Sequence, residues 1–305
     1  MKNFAGKVAV ITGGASGLGR EFANTAFARG MKIVLADVEG NSLERAATEL
    51  RAQGAQVLSM LCDVRKGPQV QALADAAMKR YGAVHLVFNN AGVGSGGLIW
   101  ENSEADWEWV LGVNLWGVIH GVRIFTALML ACAQDDPAFE GHIVNTASMA
   151  GLLNAPTMGV YNVSKHAVVS LSETLYHDLQ LVGAPIGASV LCPYFVPTGI
   201  GQSHRNRPAD VKVRARPTVS QVAAQAMTQK AVESGKVSAA QVAAMTFDAV
   251  ASGQFYIYSH PDALAGVAER MDAIVHHRNP GDPYAAMPQI GAMLRARLHQ
   301  EQGNP

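Results

Sequence analysis

Short runs of apolar, often β-branched residues alternate along the chain with longer segments whose apolar positions recur at helical spacing. Because the short runs are nearly continuous in apolar character, they are typical of strands buried on both faces of a parallel sheet. We predict strands at residues 7–12, 32–37, 56–61, 84–89, 142–147, 186–191 and 254–259, and helices at about 17–29, 42–53, 67–81, 104–133, 159–182 and 238–252. This alternation predicts an α/β fold, a doubly wound parallel sheet flanked by helices, with residues 1–305 forming one domain.

One segment, residues 193–237, departs from this alternation. It carries four prolines, several basic residues and small-residue helical stretches, but no clear strand. An insertion that follows the carboxyl end of a strand in such a fold lies over the ligand crevice, so we predict a lid at about 194–237. The tail, about 279–305, is punctuated by proline and glycine, and we expect it to be a partly mobile extension.

Composition and charge exclude several classes of partner. The 24 basic and 24 acidic residues balance, which favours neither nucleic acid nor an anionic membrane. The three cysteines and ten histidines show no metal-ligand or disulfide spacing, so we expect no metal and a reducing compartment. The first apolar run is too short for a signal sequence, and the run at 124–133 is too short to span a bilayer. We therefore expect a cytoplasmic protein in which residues 124–133 belong to a buried helix.

A glycine-rich turn follows the first predicted strand. Gly13, Gly17 and Gly19 in the sequence TGGASGLG leave room for a tight turn and for close approach of the backbone to a phosphate. The helix that follows offers free N–H groups and a favourable dipole to an anion. In this position the turn predicts a dinucleotide site.

The second predicted strand ends in Asp37, eighteen residues after Gly19. A carboxylate at that distance is placed to accept hydrogen bonds from the adenosine ribose and to repel a 2′-phosphate. No basic residue stands at Ser16 or Val38, and Arg20 lies inside the following helix, so the pattern favours NAD over NADP.

Polar and small residues also follow the third and fourth predicted strands. Asp63 is placed to bind the adenine amino group, and the segment Asn90–Gly92, which includes Ala91, leaves room for a cofactor against the backbone. Asn114 lies in an apolar helical segment. A buried amide needs partners, so Asn114 is either a helix-bending structural residue or part of a site.

Tyr161 and Lys165 are four residues apart in a predicted helix, and therefore lie on one face of it. A nearby ammonium stabilises a phenolate and lowers the phenol pKa, which prepares the group for proton transfer. The pair by itself is more often a surface tyrosine beside a solvated lysine.

Taken in order and spacing, these motifs resemble the short-chain dehydrogenases/reductases over roughly residues 5–200 and again near 238–260. The resemblance rests on TGGASGLG, Asp37, Asp63, NNAG at 89–92, Asn114, Ser148, the Y-x-x-x-K motif at 161–165, and Pro193 to Thr198. It implies a Rossmann-like seven-stranded parallel sheet and a catalytic tetrad of Asn114, Ser148, Tyr161 and Lys165. Cofactor-binding residues implied by the same resemblance are Gly13, Ser16, Gly17, Leu18, Gly19, Asp37, Asp63, Val64, Asn90, Ala91, Gly92, Tyr161, Lys165, Pro193, Val196 and Thr198.

The resemblance also implies the role of each tetrad residue. Ser148 would position the substrate oxygen, Tyr161 would transfer the proton of a secondary alcohol, and Lys165 would lower the tyrosine pKa and hold the nicotinamide ribose. Asn114 would help to order a water molecule that links Lys165 to solvent. Hydride would pass between the substrate carbon and NAD.

The chain departs from the family pattern at Tyr194, where the family usually has glycine. An aromatic side chain there should narrow the substrate pocket or form a stacking wall. With Ser148, Met149 and Leu152 we expect Tyr194 to line a pocket for a moderately hydrophobic alcohol or ketone; the same apolar side chains are equally compatible with core or interface positions.

Two other functions stay open at this point. One is a non-catalytic NAD(H)-binding regulator, although such proteins tend to lose the tyrosine or the lysine. The other is an epimerase or dehydratase of the same fold, which would show no net cofactor turnover. The resemblance further implies that the helices at 104–133 and 159–182 form a four-helix contact in a homodimer or homotetramer.

Overall fold

The strands form one seven-stranded sheet. In the computed structural model, which describes residues 1–208, 211 and 216–302 (without the side chains of 300–302), the strands are β1 Val8–Thr12, β2 Lys32–Asp37, β3 Val57–Leu61, β4 Leu86–Asn89, β5 Gly141–Thr146, β6 Ile186–Cys192 and β7 Tyr256–Tyr258. All neighbouring pairs are parallel, in the order β3-β2-β1-β4-β5-β6-β7. The predicted strands agree with these to within two residues at each end, so the predicted fold class is confirmed.

The order of the strands places a crevice at the middle of the sheet. Strand β1 pairs with β2 on one side and with β4 on the other, so the chain leaves β1 in one direction and returns to its opposite edge after β3. In an open parallel sheet the connections on the two sides diverge at this point and leave space at the carboxyl ends of the strands. Thr12, Asp37 and Asn89, the last residues of β1, β2 and β4, therefore lie around one opening.

Helices cover both faces of the sheet. They are α1 Gly17–Ala28, α2 Gly40–Ala52, α3 Gly67–Tyr81, α4 Glu104–Leu111, α5 Gly117–Asp135, α6 Gly159–Leu181, α7 Val219–Glu233, α8 Ala239–Ser252, α9 Leu264–Val275 and α10 Pro288–Gln302. One apolar cluster packs α1, α2 and α8 against one face, with the rings of Phe22 and Phe88 stacked at 4.3 Å. A second cluster packs α3, α5 and α6 against the other face, around Phe125 and Met129. Because both faces are covered at the middle of the sheet, the central strands β1, β2 and β4 consist mostly of buried apolar residues, whereas the edge strands β3 and β7 are partly exposed.

Helices α4 and α5 are joined by the π-helical turn Gly112–Trp116 into a rod from Glu104 to Asp135. Among the described residues, this is the helix long and apolar enough to cross a membrane by length and composition alone. The expectation that residues 124–133 lie in a buried helix is right only in part: Phe125 and Met129 are fully buried, but only 28% of the most apolar 18-residue window of the rod is buried. Exposed side chains on it include Trp116, which is 51% accessible.

The predicted lid begins where β6 ends. Its described residues form the 3₁₀ turn Gly199–Asn206 and helix α7, and contain no strand. Residues 209–210 and 212–215 of the predicted lid, and 303–305 of the predicted tail, lie outside the described residues. The tail contributes helix α10, which packs against α7 and buries Leu294.

Candidate active site

A cavity of about 820 Å³ opens at the carboxyl ends of the central strands. Its walls come from the loop after β1, the ends of β2 to β6, the start of α6 and the predicted lid. Of the predicted site residues, those that line it are Gly13, Ser16, Gly17, Leu18, Asp37, Asp63, Val64, Asn90, Ala91, Gly92, Ser148, Tyr161, Lys165, Pro193, Tyr194, Val196 and Thr198. The structure thus brings together residues that are far apart in the sequence, from Gly13 to Thr198.

The glycine-rich turn forms a cradle of backbone. Gly13 has a φ of +65°, and a Cβ atom there would lie 2.9 Å from the Cα atom of Ala91. Gly17, with a φ of +54°, begins helix α1, and the Ser16 side chain does not cap the N–H groups of the first turn. Gly19 does not line the cavity; a Cβ there would collide with the carbonyl group of Gly13, so its role is to let α1 approach the turn. Free N–H groups at a helix N-terminus without side chains in the way fit a diphosphate.

Asp37 is held at the end of β2 by the backbone. Its carboxylate accepts hydrogen bonds from the N–H groups of Ala15 and Glu39, both at 3.0 Å. Burial raises the pKa of this carboxyl, and the two N–H groups oppose the shift. Arg20 is turned away from the cavity, since its guanidinium binds the Ala46 carbonyl group and forms an ion pair with Glu49. No cation from α1 therefore offsets the charge of Asp37.

Asn90 and Asp63 are fixed on either side of this crevice. The Asn90 amide donates to the carbonyl oxygen of Thr12 at 3.0 Å, and the Thr12 hydroxyl accepts from the Asn90 N–H at 2.9 Å, which ties β4 to β1. The Asp63 carboxylate forms a 2.7 Å ion pair with Arg65. Although burial would raise the pKa of Asp63, hydrogen bonds from Arg65 hold it below its usual range.

Ser148, Tyr161 and Lys165 meet at the inner end of the cavity. Ser148 follows β5 and caps the 3₁₀ turn Met149–Gly151, with its hydroxyl oxygen accepting from the Ala150 N–H at 3.1 Å. Tyr161 and Lys165 project from one face of the first turns of α6, as their spacing predicts. The Lys165 Nζ atom donates to the Thr146 carbonyl oxygen at 2.8 Å and lies 5.7 Å from the centre of the Tyr161 ring.

Burial dominates the proton affinities of this pair. Burial lowers the pKa of Lys165 to about 8. It raises the pKa of Tyr161, and a hydrogen bond with Ser148 partly opposes this increase. The prediction that the Tyr161 pKa is lowered is therefore wrong for the protein alone. In a weakly polar site, loss of water disfavours the phenolate more than a cation at this distance can offset.

Asn114 lies in the π-helical turn and is fully buried. Its side-chain oxygen accepts from the Val93 N–H at 2.8 Å, and its amide donates to the Val93 carbonyl at 3.0 Å and to the Ser164 hydroxyl at 3.1 Å. Ser164 in turn donates to the Tyr161 carbonyl at 2.7 Å. Asn114 does not line the cavity, and its hydrogen bonds join α6 to the segment after β4.

Two predicted substrate residues lie elsewhere. Met149 and Leu152 are 1% and 8% exposed and do not line the cavity. The turn that follows Ser148 directs them into an apolar cluster with Val168 and Val190, between α6 and β6. The prediction that they line the pocket is therefore wrong, whereas Tyr194 lines it with 41% of its surface accessible.

Several residues of the cavity were not predicted. Arg205 and Arg207 enter it from the lid, where they form ion pairs with Glu39 at 2.9 Å and with Asp106 at 2.6 Å. Trp109 is 3% exposed and contributes to the wall. No spacing in the sequence reports these positions, because each depends on contacts between distant segments. Among the described residues, no group of three or more His, Cys, Asp or Glu side chains is arranged to hold a metal ion.

Comparison of the sequence with known proteins assigns the chain to a family. The sequence model of the family described as "short chain dehydrogenase" matches residues 7–209, which is more than half of the chain. The chain belongs to the short-chain dehydrogenase family. The predicted resemblance is thereby confirmed, and with it a general dehydrogenase/reductase activity on small molecules.

Similar short-chain dehydrogenases come from several bacteria. The crystal structure of such an enzyme from Burkholderia phymatum in complex with NAD is 56% identical, covers 93% of this chain and 99% of its own, and superposes with a TM-score of 0.90. A "CLA biosynthesis dehydrogenase/reductase" of Lactiplantibacillus plantarum is 32% identical over 278 residues, 90% of this chain and 95% of that protein. A "C alpha-dehydrogenase" of Sphingobium sp. is 31% identical over 299 residues, 96% of this chain and 94% of that protein.

Proposed function

We propose that the protein is an NAD-dependent oxidoreductase that interconverts a secondary alcohol and a ketone, with Tyr161 as general acid and base. One observation carries the proposal: Ser148, Tyr161 and Lys165 converge in the same cavity as the glycine-rich turn and Asp37. A non-catalytic NAD(H)-binding protein would not need a buried lysine beside a partly buried phenol, since burial of an ammonium group is costly.

Each polar group has a step to perform. Ser148 donates a hydrogen bond to the substrate oxygen, and Tyr161 takes the alcohol proton in oxidation or returns it in reduction. When bound, oxidised NAD would supply the hydride acceptor and a positive charge. Beside it, the Lys165 ammonium would favour the Tyr161 phenolate and oppose the upward shift that burial imposes on the Tyr161 pKa. Asn114 does not touch the substrate; it positions α6, and through α6 it positions Tyr161.

The end of β2 favours NAD over NADP. The Asp37 carboxylate faces the cavity with no arginine of α1 beside it, and Ser16 and Val38 add no cation. Ribose hydroxyl groups would donate hydrogen bonds to the Asp37 carboxylate in place of water, whereas the negative charge of Asp37 would repel a 2′-phosphate. The NAD complex of the Burkholderia phymatum enzyme supports the same cofactor.

The cavity wall includes a set of apolar side chains beside Ser148 and Tyr161: Val93, Trp109, Val113, Tyr194, Ile200 and Val232. The charged group over Trp109, Arg207, is paired with Asp106. The apolar side chains suit a moderately hydrophobic alcohol or ketone, with the Tyr194 ring available as a stacking surface.

We further propose that the protein is a soluble, cytoplasmic homodimer or homotetramer, built from one domain spanning residues 1–305. The exposed apolar face of α4 and α5, including Trp116, would pack against a second subunit together with α6. Light scattering of the purified protein after size-exclusion chromatography, without detergent, tests this proposal, and a monodisperse monomer would contradict it.

The activity is tested by NADH formation from NAD⁺ across a panel of secondary alcohols, with NADP⁺ in parallel. We expect turnover of apolar alcohols with NAD⁺, reduced at least about 100-fold in Tyr161→Phe. Tyr176→Phe, a change on the same helix outside the cavity, is the matched control.

Three results would contradict the proposal. Unchanged turnover in Tyr161→Phe would show that Tyr161 is not the general acid and base. Better turnover of small polar hydroxy acids would refute the apolar substrate class. NADH binding without net turnover of any alcohol would favour a regulator, or an enzyme that oxidises and re-reduces its substrate internally.

A further inference from the structure

Three consecutive lid residues line the cavity and are hydrogen-bonded to two different segments of the chain. We call Arg205, Asn206 and Arg207 the strap. Arg205 and Asn206 reach Glu39, in the loop that follows Asp37, whereas Arg207 reaches Asp106 on α4. Glu39 lines the cavity at the adenosine end of the proposed cofactor site, and Asp106 lies on α4, whose Trp109 lines the same cavity.

The Glu39 end is made of two hydrogen bonds and an ion pair, all to one oxygen. The Oε1 atom of Glu39 accepts hydrogen bonds from Arg205 Nε at 3.0 Å and from Asn206 Nδ2 at 2.8 Å, and the Arg205 Nη2 atom lies 2.9 Å from it in the ion pair. Burial alone would raise the pKa of Glu39, but these donors hold it below its usual range. The Arg205 Nη1 atom donates to the carbonyl oxygens of Gly199 and Gln202, so the 3₁₀ turn of the lid holds the guanidinium in place.

The two ends differ in exposure. The Arg207 and Asp106 side chains are only 13% and 12% exposed, the guanidinium lies 5.1 Å from the Trp109 ring centre, and Ser103 holds the second oxygen of Asp106 within a capping box. The Arg205 and Glu39 side chains are 35% and 26% exposed. Water and salt therefore weaken the Glu39 end first.

We propose that Glu39 is the latch of this strap, and that opening of the strap at Glu39 controls the rate at which NADH leaves the protein. Glu39 is then a positioning residue: it acts on the cofactor through Arg205 and Asn206. Lid opening of this kind often sets the rate of product release. The inference rests on the proposed function, since it needs NAD(H) as the cofactor.

The latch and a simple charge effect predict opposite results for Glu39. NADH is negatively charged, so if charge alone mattered, removing the Glu39 carboxylate would slow NADH release and removing the Arg205 cation would speed it. If Glu39 and Arg205 act as a latch, removing either partner speeds release. Removing both then adds little, because a single interaction is lost.

The test is NADH dissociation measured by stopped-flow fluorescence, with excess NAD⁺ as the displacing ligand. We expect release to be about three- to tenfold faster in Glu39→Gln and in Arg205→Gln, and no faster in the double variant. Wild-type release should also quicken with added salt, and the variants should lose that dependence. Glu140→Gln is the matched control, since it breaks the exposed 2.9 Å pair with Lys7, which does not line the cavity.

The failures can be told apart. Unchanged or slower release in Glu39→Gln, or effects of the two variants that multiply in the double variant, would overturn the latch alone. Absence of NADH binding by the wild type would overturn the proposed cofactor and the latch with it. Thermal unfolding of each variant shows whether faster release comes from the strap or from a general loss of stability, and a large fall in melting temperature would count against the latch.

Discussion

The burial of Lys165 leads to a prediction about stability. Its pKa falls from an ordinary value of 10.5 to about 8 because the ammonium has lost its water. At about 1.36 kcal/mol for each tenfold change in proton affinity, holding this charge in the folded protein costs about 3 kcal/mol at pH 7. Replacing Lys165 by methionine removes that cost but leaves the Thr146 carbonyl oxygen without its donor, a loss of about 1 kcal/mol. We expect Lys165→Met to be inactive and yet about 2 kcal/mol more stable.

The dependence on pH follows from the same pKa. Below pH 8 the lysine is charged in the folded and unfolded chains alike, so the full cost is present. Between pH 8 and 10.5 the folded protein holds the neutral amine while the unfolded chain still binds a proton, so wild-type stability rises with pH. The advantage of Lys165→Met should therefore be largest at pH 7 and mostly gone by about pH 9.5.

Thermal unfolding without NAD, at equal protomer concentration, measures this difference. A gain of about 2 kcal/mol corresponds to about 3 °C in melting temperature for a chain of this size. Lys66→Met, at an exposed position of the same cavity, is the control and should show no such gain. The reasoning is refuted if Lys165→Met melts at or below the wild-type temperature at pH 7, or if its gain is equal at pH 7 and 9.5.

Three further changes test the site and its surroundings. Asp37→Ala should lower the NAD to NADP ratio of kcat/KM by roughly tenfold or more, and an unchanged ratio would contradict the assignment of its carboxylate. Gly19→Ala should abolish NADH binding, because its Cβ would collide with the Gly13 carbonyl group. Gly266→Ala, with ordinary contacts at 3.6 Å, should leave binding intact. Met149→Ala should lower the free energy of unfolding by about 2–5 kcal/mol without altering substrate preference. A changed substrate preference at unchanged stability would show that Met149 lines the pocket after all.

Much of the fold is visible in the sequence because its signals are local. Continuous apolar runs mark strands buried on both faces, and Ser103 with Asp106 marks the start of α4 by a capping box that the structure contains. The site residues that could be predicted share this property. Each stands at the end of a strand, in the glycine-rich turn, or one helical turn from a partner, and the strand order then brings all of them to one opening.

The wrong predictions concern directions and distances that no local pattern contains. Whether Met149 points into the cavity or the core depends on how the turn after Ser148 meets α6. The exposure of the rod Glu104–Asp135 depends on what packs beside it. The Tyr161 pKa depends on the water that the surrounding elements exclude, and spacing from Lys165 says nothing about that water.

The sequence by itself therefore determined the sheet, the position of the glycine-rich turn and the residue types of the candidate active site, because backbone periodicity and side-chain chemistry act over a few residues. Only the tertiary structure decided which side chains line the cavity, how burial changes their proton affinities, and that Glu39 meets Arg205 from 166 positions away. Those outcomes depend on the packing of distant segments, and packing is a property of the whole chain.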